Sequence, residues 1–415
     1  MSTLIRHVLL DNKPVDILIN HNKIEKIADH IPTALSDEII MGEGKAITPA
    51  FYNMHTHSAM TLFRGIGEDK NLFDWLQTDI WPREEKLTNE QVYHASKLSI
   101  LEMIKSGTVL FNDMYPFAAQ TEKAADEMGV KMLSSCVAFD LFNPKMTEEK
   151  KKSMTEFMER KISSSFIKKT VSCHAVYTVS EELLCFARDL ALKHHSFLHI
   201  HLAETQKEVS DSIEKTGLTP TAYLDKLGLL TNKTILAHCV WLNEEDRKII
   251  KERGCLIAHC PTSNLKLNSG QMPFNLYKEE GLKISLGTDG ASSNNSLSMF
   301  SEMKIAALSA KGQSQNITAG KVDQILHMSQ KEAPQFLGIN AGEIAEGTIA
   351  DFILLDLNNT QLQPQSYLKS HLVYSAESNC VTDVCSNGRF ILKDKYHPFE
   401  NEIIDSFLKA SKSIL

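Results

Sequence analysis

The tripeptide His55-Thr56-His57 sets two imidazoles two residues apart. On a strand, side chains at i and i+2 share a face, so both can address one metal ion. A lone His-x-His is more often two unrelated histidines beside a turn, because the pattern is short. Further candidates change that weighing. His201 lies in Leu198-His-Ile-His-Leu-Ala-Glu-Thr205 with Glu204 just beyond it, His238 closes Thr234-Ile-Leu-Ala-His238, and Asp289 closes Ile284-Ser-Leu-Gly-Thr-Asp289. Each polar residue terminates an apolar run. Histidines and an aspartate converging from such positions can hold a divalent ion through nitrogen and oxygen and leave one position open for water. For His55, His57, His201 and Asp289 together, the bland reading needs four strand-end coincidences. His199, His259, His94 and His327, taken singly, are packed or surface histidines.

The elements that must position these groups follow from periodicity. Ala46 to Met54 is apolar enough for one buried strand, with Pro49 near its start. Leu87 to Gly107 predicts an amphipathic helix, with a Thr88/Gln91 capping box and a glycine stop. Strands follow at 108–112, 131–137 and 170–173, with helices near 117–128 and 181–194, and then strands ending at His201, His238, His259 and Asp289. Strands alternating with helices imply parallel pairing through right-handed crossovers. About eight such units fit residues 49–345, so the predicted class is α/β, a (β/α)8 TIM barrel whose C-terminal mouth gathers the candidates.

The chain ends have a different pattern. Val15 to Ile27 predicts a hairpin around His21-Asn22, and Gly347–Asp356 and Gly388–Leu392 predict strands. Residues 1–48 and 346–415 are therefore expected to form a smaller β-sandwich domain built from both ends, with a tail helix. Lys150-Lys151-Lys152 alternates with Glu148, Glu149, Glu156 and Glu159, the pattern of a solvated helix and not of a binding patch.

A chain of 415 residues with net charge -8 argues against nucleic acid or anionic membrane as partner and favours a small molecule. Met1 to His7 lacks the apolar core of a signal peptide and no stretch reaches membrane-spanning length, so a cytoplasmic protein is expected. The eight cysteines show no Cys-x-x-Cys pair, which predicts reduced thiols and no thiolate zinc site.

The runs His55-Thr-His57, His201-Leu-Ala-Glu204-Thr, Leu236-Ala-His238-Cys-Val-Trp-Leu, His259-Cys-Pro-Thr-Ser-Asn-Leu-Lys-Leu-Asn-Ser-Gly270 and Gly287-Thr-Asp289-Gly-Ala-Ser-Ser-Asn-Asn-Ser-Leu, in this order, resemble the amidohydrolase superfamily. Within it the chain is similar to the 5-methylthioadenosine/S-adenosylhomocysteine deaminases and triazine hydrolases, over nearly its whole length. The resemblance implies one metal held by His55, His57, His201 and Asp289, with Glu204, His238 and Asp289 as catalytic groups and a homodimer as the assembly. Cys173-His174 stands where binuclear members carry a bridging lysine, which implies a single ion. Zinc is the first choice and Fe2+ the second, since these ligands discriminate weakly between them.

The reaction implied is hydrolytic release of ammonia from an aminopurine nucleoside. Glu84, in Trp81-Pro-Arg-Glu84, matches a glutamate that holds ribose hydroxyls, and His174 matches a histidine that contacts the purine. Trp75 and Trp81 serve equally well for packing or for stacking on substrate. Relatives that accept S-adenosylhomocysteine grip its carboxylate with arginines after the third strand, whereas Lys131 to Asp140 contains none. Lys145 is only a point charge. 5-Methylthioadenosine or adenosine is therefore expected over S-adenosylhomocysteine. The alternatives are a deaminase or dechlorinase of guanine, cytosine or a triazine, and a non-catalytic scaffold of the same fold.

Overall fold

Eight parallel strands enclose the centre of the computed structural model, which describes residues 2–412 and 414. They are β1 (Phe51–Thr56), β2 (Thr108–Tyr115), β3 (Lys131–Ala138), β4 (Ile167–Cys173), β5 (Leu198–Leu202), β6 (Thr234–His238), β7 (Leu256–His259) and β8 (Lys283–Leu286). Each pairs with the next in sequence order. All residues of β1, β2, β5, β6 and β7 are buried, as expected for parallel strands covered by helices on the outside. The predicted TIM barrel is thus the observed architecture, and no helix among the described residues is long and apolar enough to cross a membrane.

The seam between β8 and β1 is closed largely by the segment after β8. Asp289 N donates to the carbonyl of His55 (2.9 Å) and Thr288 N donates to Asn53 Oδ1 (3.0 Å). A side chain at Gly287 would stand 2.9 Å from the His55 backbone nitrogen, so only glycine lets the two strands approach this closely.

The connecting helices follow their local sequence signals. Thr88 and Gln91 form the reciprocal capping box of the helix Asn89–Lys105. The lysine-rich segment is the helix Pro144–Glu159, and Lys151 pairs there with Glu148 and Glu182. Residues Glu400–Ser411 form the tail helix, which packs on Asn89–Lys105 with Lys105 paired to Glu400.

The single strand expected over residues 46–54 is two. Lys45–Pro49 belongs to the terminal sheet, and β1 begins at Phe51. Pro49 cannot donate a ladder hydrogen bond, and the chain changes sheets directly after it. The terminal sheet is mixed and eight-stranded, joining Ser2–Leu10, Lys13–Asn20, Lys23–Ala28, Glu38–Met41 and Lys45–Pro49 from the N-terminal end to Phe352–Asp356, Val381–Ser386 and Arg389–Leu392 from the other. It carries its own core, in which Ile5, Val8, Ile17 and Ile47 pack with Phe352, Leu354 and Cys385. Distant stretches of sequence share this core because each alone has one apolar face to cover.

Asp351 fastens the terminal sheet beneath the barrel. It is 1% exposed and accepts from Tyr52 Oη (2.9 Å), from Asn387 N (2.7 Å) and from Lys131 Nζ. Asp351→Ala would leave the Lys131 ammonium and the Tyr52 hydroxyl poorly paired, and is expected to lower stability by about 3 kcal/mol. A drop in the denaturant unfolding midpoint checks it, and an unchanged midpoint contradicts this role.

Candidate active site

At the C-terminal ends of the barrel strands, His55, His57, His201, Glu204, His238 and Asp289 come together. His55 near the end of β1 and His57 just past it have ring centroids 4.8 Å apart, and Asp289 Oδ1 lies 3.3 Å from the Nε2 of each. The ring of His201 is 4.9 Å from that of His55 and 5.4 Å from that of His57. Ligand-type atoms of His55, His57 and Asp289 lie within 4.8 Å of one another, as do those of His55, His201 and His238.

Second partners fix which ring nitrogen each histidine presents. His57 Nδ1 donates to the carbonyl of Met114 (2.6 Å) and His201 Nδ1 donates to the carbonyl of His174 (2.7 Å). Each therefore turns Nε2 to the centre, the nitrogen a metal would take. Burial opposes a proton on His57, but Asp289 outweighs it and raises the His57 pKa to about 9, so an ion would displace that proton. His55 Nδ1 lies 3.1 Å from His199 Nε2, while His55 Nε2 is buried without a hydrogen-bond partner. A fully buried orphan nitrogen facing a carboxylate and two further imidazoles fits a divalent cation. Burial and the neighbouring imidazoles hold His201 well below its ordinary pKa, so it is neutral, as a ligand must be. Burial opposes charge on Asp289, but His55 and His57 outweigh it and hold its carboxyl well below the usual carboxylate range.

Asp289 does not end a strand, contrary to expectation. It lies three residues past Leu286, with φ +59°. The backbone turns there to cross onto His55, and Ser263 Oγ (2.6 Å) and Ser293 Oγ (3.0 Å) donate to Oδ2, leaving Oδ1 aimed at the histidines. Left-handed backbone recurs at Ala203 (+47°) and His238 (+72°), so three of the turns that aim polar side chains inward are conformationally strained.

Glu204 is 4% exposed. Its Oε1 accepts from Ser269 Oγ (2.9 Å), and its Oε2 lies 3.6 Å from His238 Nε2. Burial raises its pKa, His238 lowers it, and the charge of Asp289 raises it again, for a net upward shift. His238 Nδ1 donates to Asn264 Oδ1 (2.8 Å), which turns Nε2 toward Glu204.

Above this cluster opens a cavity of about 290 Å3, into which His57, His201, Glu204, His238 and Asp289 all project. Trp75, Trp81, Glu84 and His174, the predicted substrate contacts, all line it as well. Trp75 is buried and Trp81 half-buried, so packing and contact with an occupant are both open to them. His174 Nδ1 bonds the Thr178 hydroxyl (2.8 Å), and burial with nearby imidazoles pushes its pKa down to about 3, so it meets an occupant as a neutral ring. The wall formed by Phe117, Val137, Phe139 and Leu141 is apolar, and among the described residues lining the cavity none is a lysine or an arginine.

Sequence reading missed several supporting groups. Glu208, 1% exposed, accepts from Ala203 N and Glu204 N (2.9 Å each) and so holds the turn that carries Glu204. Its signal was available, because Thr205-x-x-Glu208 is a capping-box pattern, but the carboxylate reaches past the cap to the two preceding amides. Ser269 and Asn264 fall inside the His259–Gly270 run, but Asn264 on the short helix Pro261–Lys266 and Ser269 in the loop after it have no periodic spacing that assigns them a role. His199 is a buried histidine, as expected, yet it packs directly behind His55.

Similarity to known proteins extends over this whole framework. Residues 46–391 match the model of the amidohydrolase family. The chain is 40% identical to a 5'-deoxyadenosine deaminase of Methanocaldococcus jannaschii over 395 residues, covering 94% of each chain. It is also 40% identical to a 5-methylthioadenosine/S-adenosylhomocysteine deaminase of Archaeoglobus fulgidus over 378 residues, covering 91% of this chain and 89% of that one. A crystal structure of an adenosine deaminase from Xanthomonas campestris with bound zinc superposes with a TM-score of 0.90 at 29% identity, covering 100% and 98% of the two chains. With the family match running through both the barrel and the strands that flank it, this chain belongs to the amidohydrolase family.

Proposed function

We propose that this protein is a metal-dependent hydrolytic deaminase that replaces the amino group of an adenine nucleoside with oxygen and releases ammonia. The observation that carries the reading is the convergence of Glu204, His238 and the His55, His57, His201 and Asp289 set at the base of one cavity with apolar walls. The names of the relatives support the nucleoside class. His55, His57, His201 and Asp289 would hold the ion. Zinc is our assignment, supported by the zinc bound in the Xanthomonas campestris structure, with Fe2+ second. The chemistry that a divalent ion supplies when bound in such a set is activation of water near neutral pH.

The chain's own groups do the rest. Glu204 takes the proton of the attacking water and passes it to the ring nitrogen beside the carbon that bears the amino group. Attack makes that carbon tetrahedral; the remaining proton of the added water passes to the amino group, and collapse expels ammonia and leaves the ring carbonyl. His238, fixed through Nδ1, hydrogen-bonds the developing oxygen through Nε2 when that nitrogen carries a proton. His174 contacts the purine, Glu84 the sugar hydroxyls, and Trp75 and Trp81 flank the ring.

The apolar wall supports the expected 5' preference. A charged amino-acid tail would be desolvated there without a guanidinium to pair with it. Ammonia release is therefore expected from 5'-deoxyadenosine, 5-methylthioadenosine and adenosine, with kcat/KM for S-adenosylhomocysteine lower by about tenfold or more, as one unpaired charge requires. A highest kcat/KM for S-adenosylhomocysteine contradicts the preference. Turnover of guanine, cytosine or a triazine alone contradicts the nucleoside reading, and purified protein free of metal supports the scaffold alternative.

A further inference from the structure

Glu302 stands in the first turn of the helix Met299–Ser314 and is 0% exposed. It does not line the cavity, and no lysine, arginine or histidine among the described residues forms an ion pair with it. Burial raises its pKa to about 7, although Thr262 and Asn294 lower it. A carboxyl without a cationic partner is costly to bury, and an apolar side chain would pack in its place without that desolvation. What the carboxyl has instead is two donors, one from each of two loops.

Thr262 N, in the short helix Pro261–Lys266 after β7, donates to Glu302 Oε2 (3.3 Å), and Asn294 Nδ2, in the segment after β8, donates to Oε1 (2.7 Å). The same Asn294 nitrogen donates its other proton to the carbonyl of Thr288 (2.6 Å), the residue before Asp289. Directly after Thr262 come Ser263, which donates to Asp289 Oδ2, and Asn264, which accepts from His238 Nδ1. One carboxylate thus ties the segment that carries Asp289 to the segment that orients both Asp289 and His238. A glutamine could serve only one of the two arms, because its amide nitrogen would face the other donor. We propose that Glu302 is a positioning residue that holds the loops after β7 and β8 in register, so that Asp289 Oδ1 stays aimed at His55 and His57 and His238 Nε2 at Glu204. This rests on the metal-dependent deaminase reading given above and adds to it a group that keeps the metal-holding and proton-handling parts of the site aligned.

The test measures Zn2+ affinity without substrate, by competition with a chelator, and kinetics on 5'-deoxyadenosine at saturating Zn2+ and about pH 8.5, where the Glu302 carboxyl is ionised. Glu302→Gln is expected to weaken Zn2+ binding about tenfold, the low end for losing a group that supports a ligand from outside. It is expected to lower kcat about tenfold and to leave KM within about twofold, because Glu302 touches no occupant of the cavity. Combined with Ser263→Ala, it is expected to weaken Zn2+ binding by less than the product of the two single effects, since both act on Asp289 through one loop. A role confined to packing would lower the unfolding midpoint and leave Zn2+ affinity and kcat at wild-type values. That result overturns the inference, as does a change in KM alone or a strictly multiplicative double variant. If Glu302→Gln does not fold, Asn294→Ala breaks the same tie from its other end, and wild-type Zn2+ affinity in that variant overturns the inference equally. A wild type that binds Zn2+ but releases no ammonia from any adenine nucleoside brings down the nucleoside reading alone, with the affinity comparison still deciding the role of Glu302. A wild type that binds no Zn2+ brings down both.

Discussion

Glu204→Gln is expected to lower kcat by about 10³-fold while the metal bound per chain stays unchanged. The substitution keeps the shape of the side chain, and the amide oxygen can still accept from Ser269 as the carboxylate does at 2.9 Å. What is lost is the ability to take a proton from water and return it to the ring. Glu204 is buried, and the oxygen not held by Ser269 faces His238 Nε2 at 3.6 Å, so no bulk solvent stands ready to replace it. Steady-state kinetics with elemental analysis of the same preparation separates the two effects. A variant with near-normal kcat removes Glu204 from proton transfer, and one that has lost its metal shows that the residue acts on the ion's site instead.

The second large effect runs the other way. Asp289→Ala is expected to weaken metal binding by more than the roughly 10- to 100-fold that loss of an outer partner costs, and to abolish turnover with it. Asp289 Oδ1 is the one anionic atom set between His55 Nε2 and His57 Nε2, and the two serines on Oδ2 keep it there. Competition with a chelator followed by metal analysis gives the affinity directly. Retention of tight binding in Asp289→Ala would take the aspartate out of the ligand set and leave the His55, His201 and His238 grouping as the alternative holder. Together the two variants separate proton transfer from metal retention: one loses chemistry with its ion in place, the other loses the ion.

These expectations depend on groups of different legibility. His55 and His57 could be paired from sequence because a strand's period of two puts them on one face; His55 is the penultimate residue of β1 and His57 directly follows its end. Glu204 and His238 stood out beside apolar runs, but their catalytic roles came only through family likeness. Their working geometry depends on Glu208, Ser269 and Asn264, which come from two helices and a loop and show no shared spacing. Asp289 was expected to finish a strand, but its role depends on Gly287 passing tight against β1 and on a left-handed turn, both consequences of closing the barrel.

By itself the sequence determined the alternation of strand and helix, the capped helix ends, the terminal hairpin and the identities of the groups that can bind a cation. All of these are set by periodicities of two and 3.6 residues and by side-chain chemistry, which act over a few residues at a time. Only the tertiary structure decided that Lys45–Pro49 leaves the barrel for the other sheet, that Tyr115 and Glu84 stand together in one wall, and which ring nitrogen His57 and His201 turn inward. Those outcomes depend on contacts between residues tens to hundreds of positions apart, where no local pattern specifies the partner and only the closing of the barrel brings it within reach.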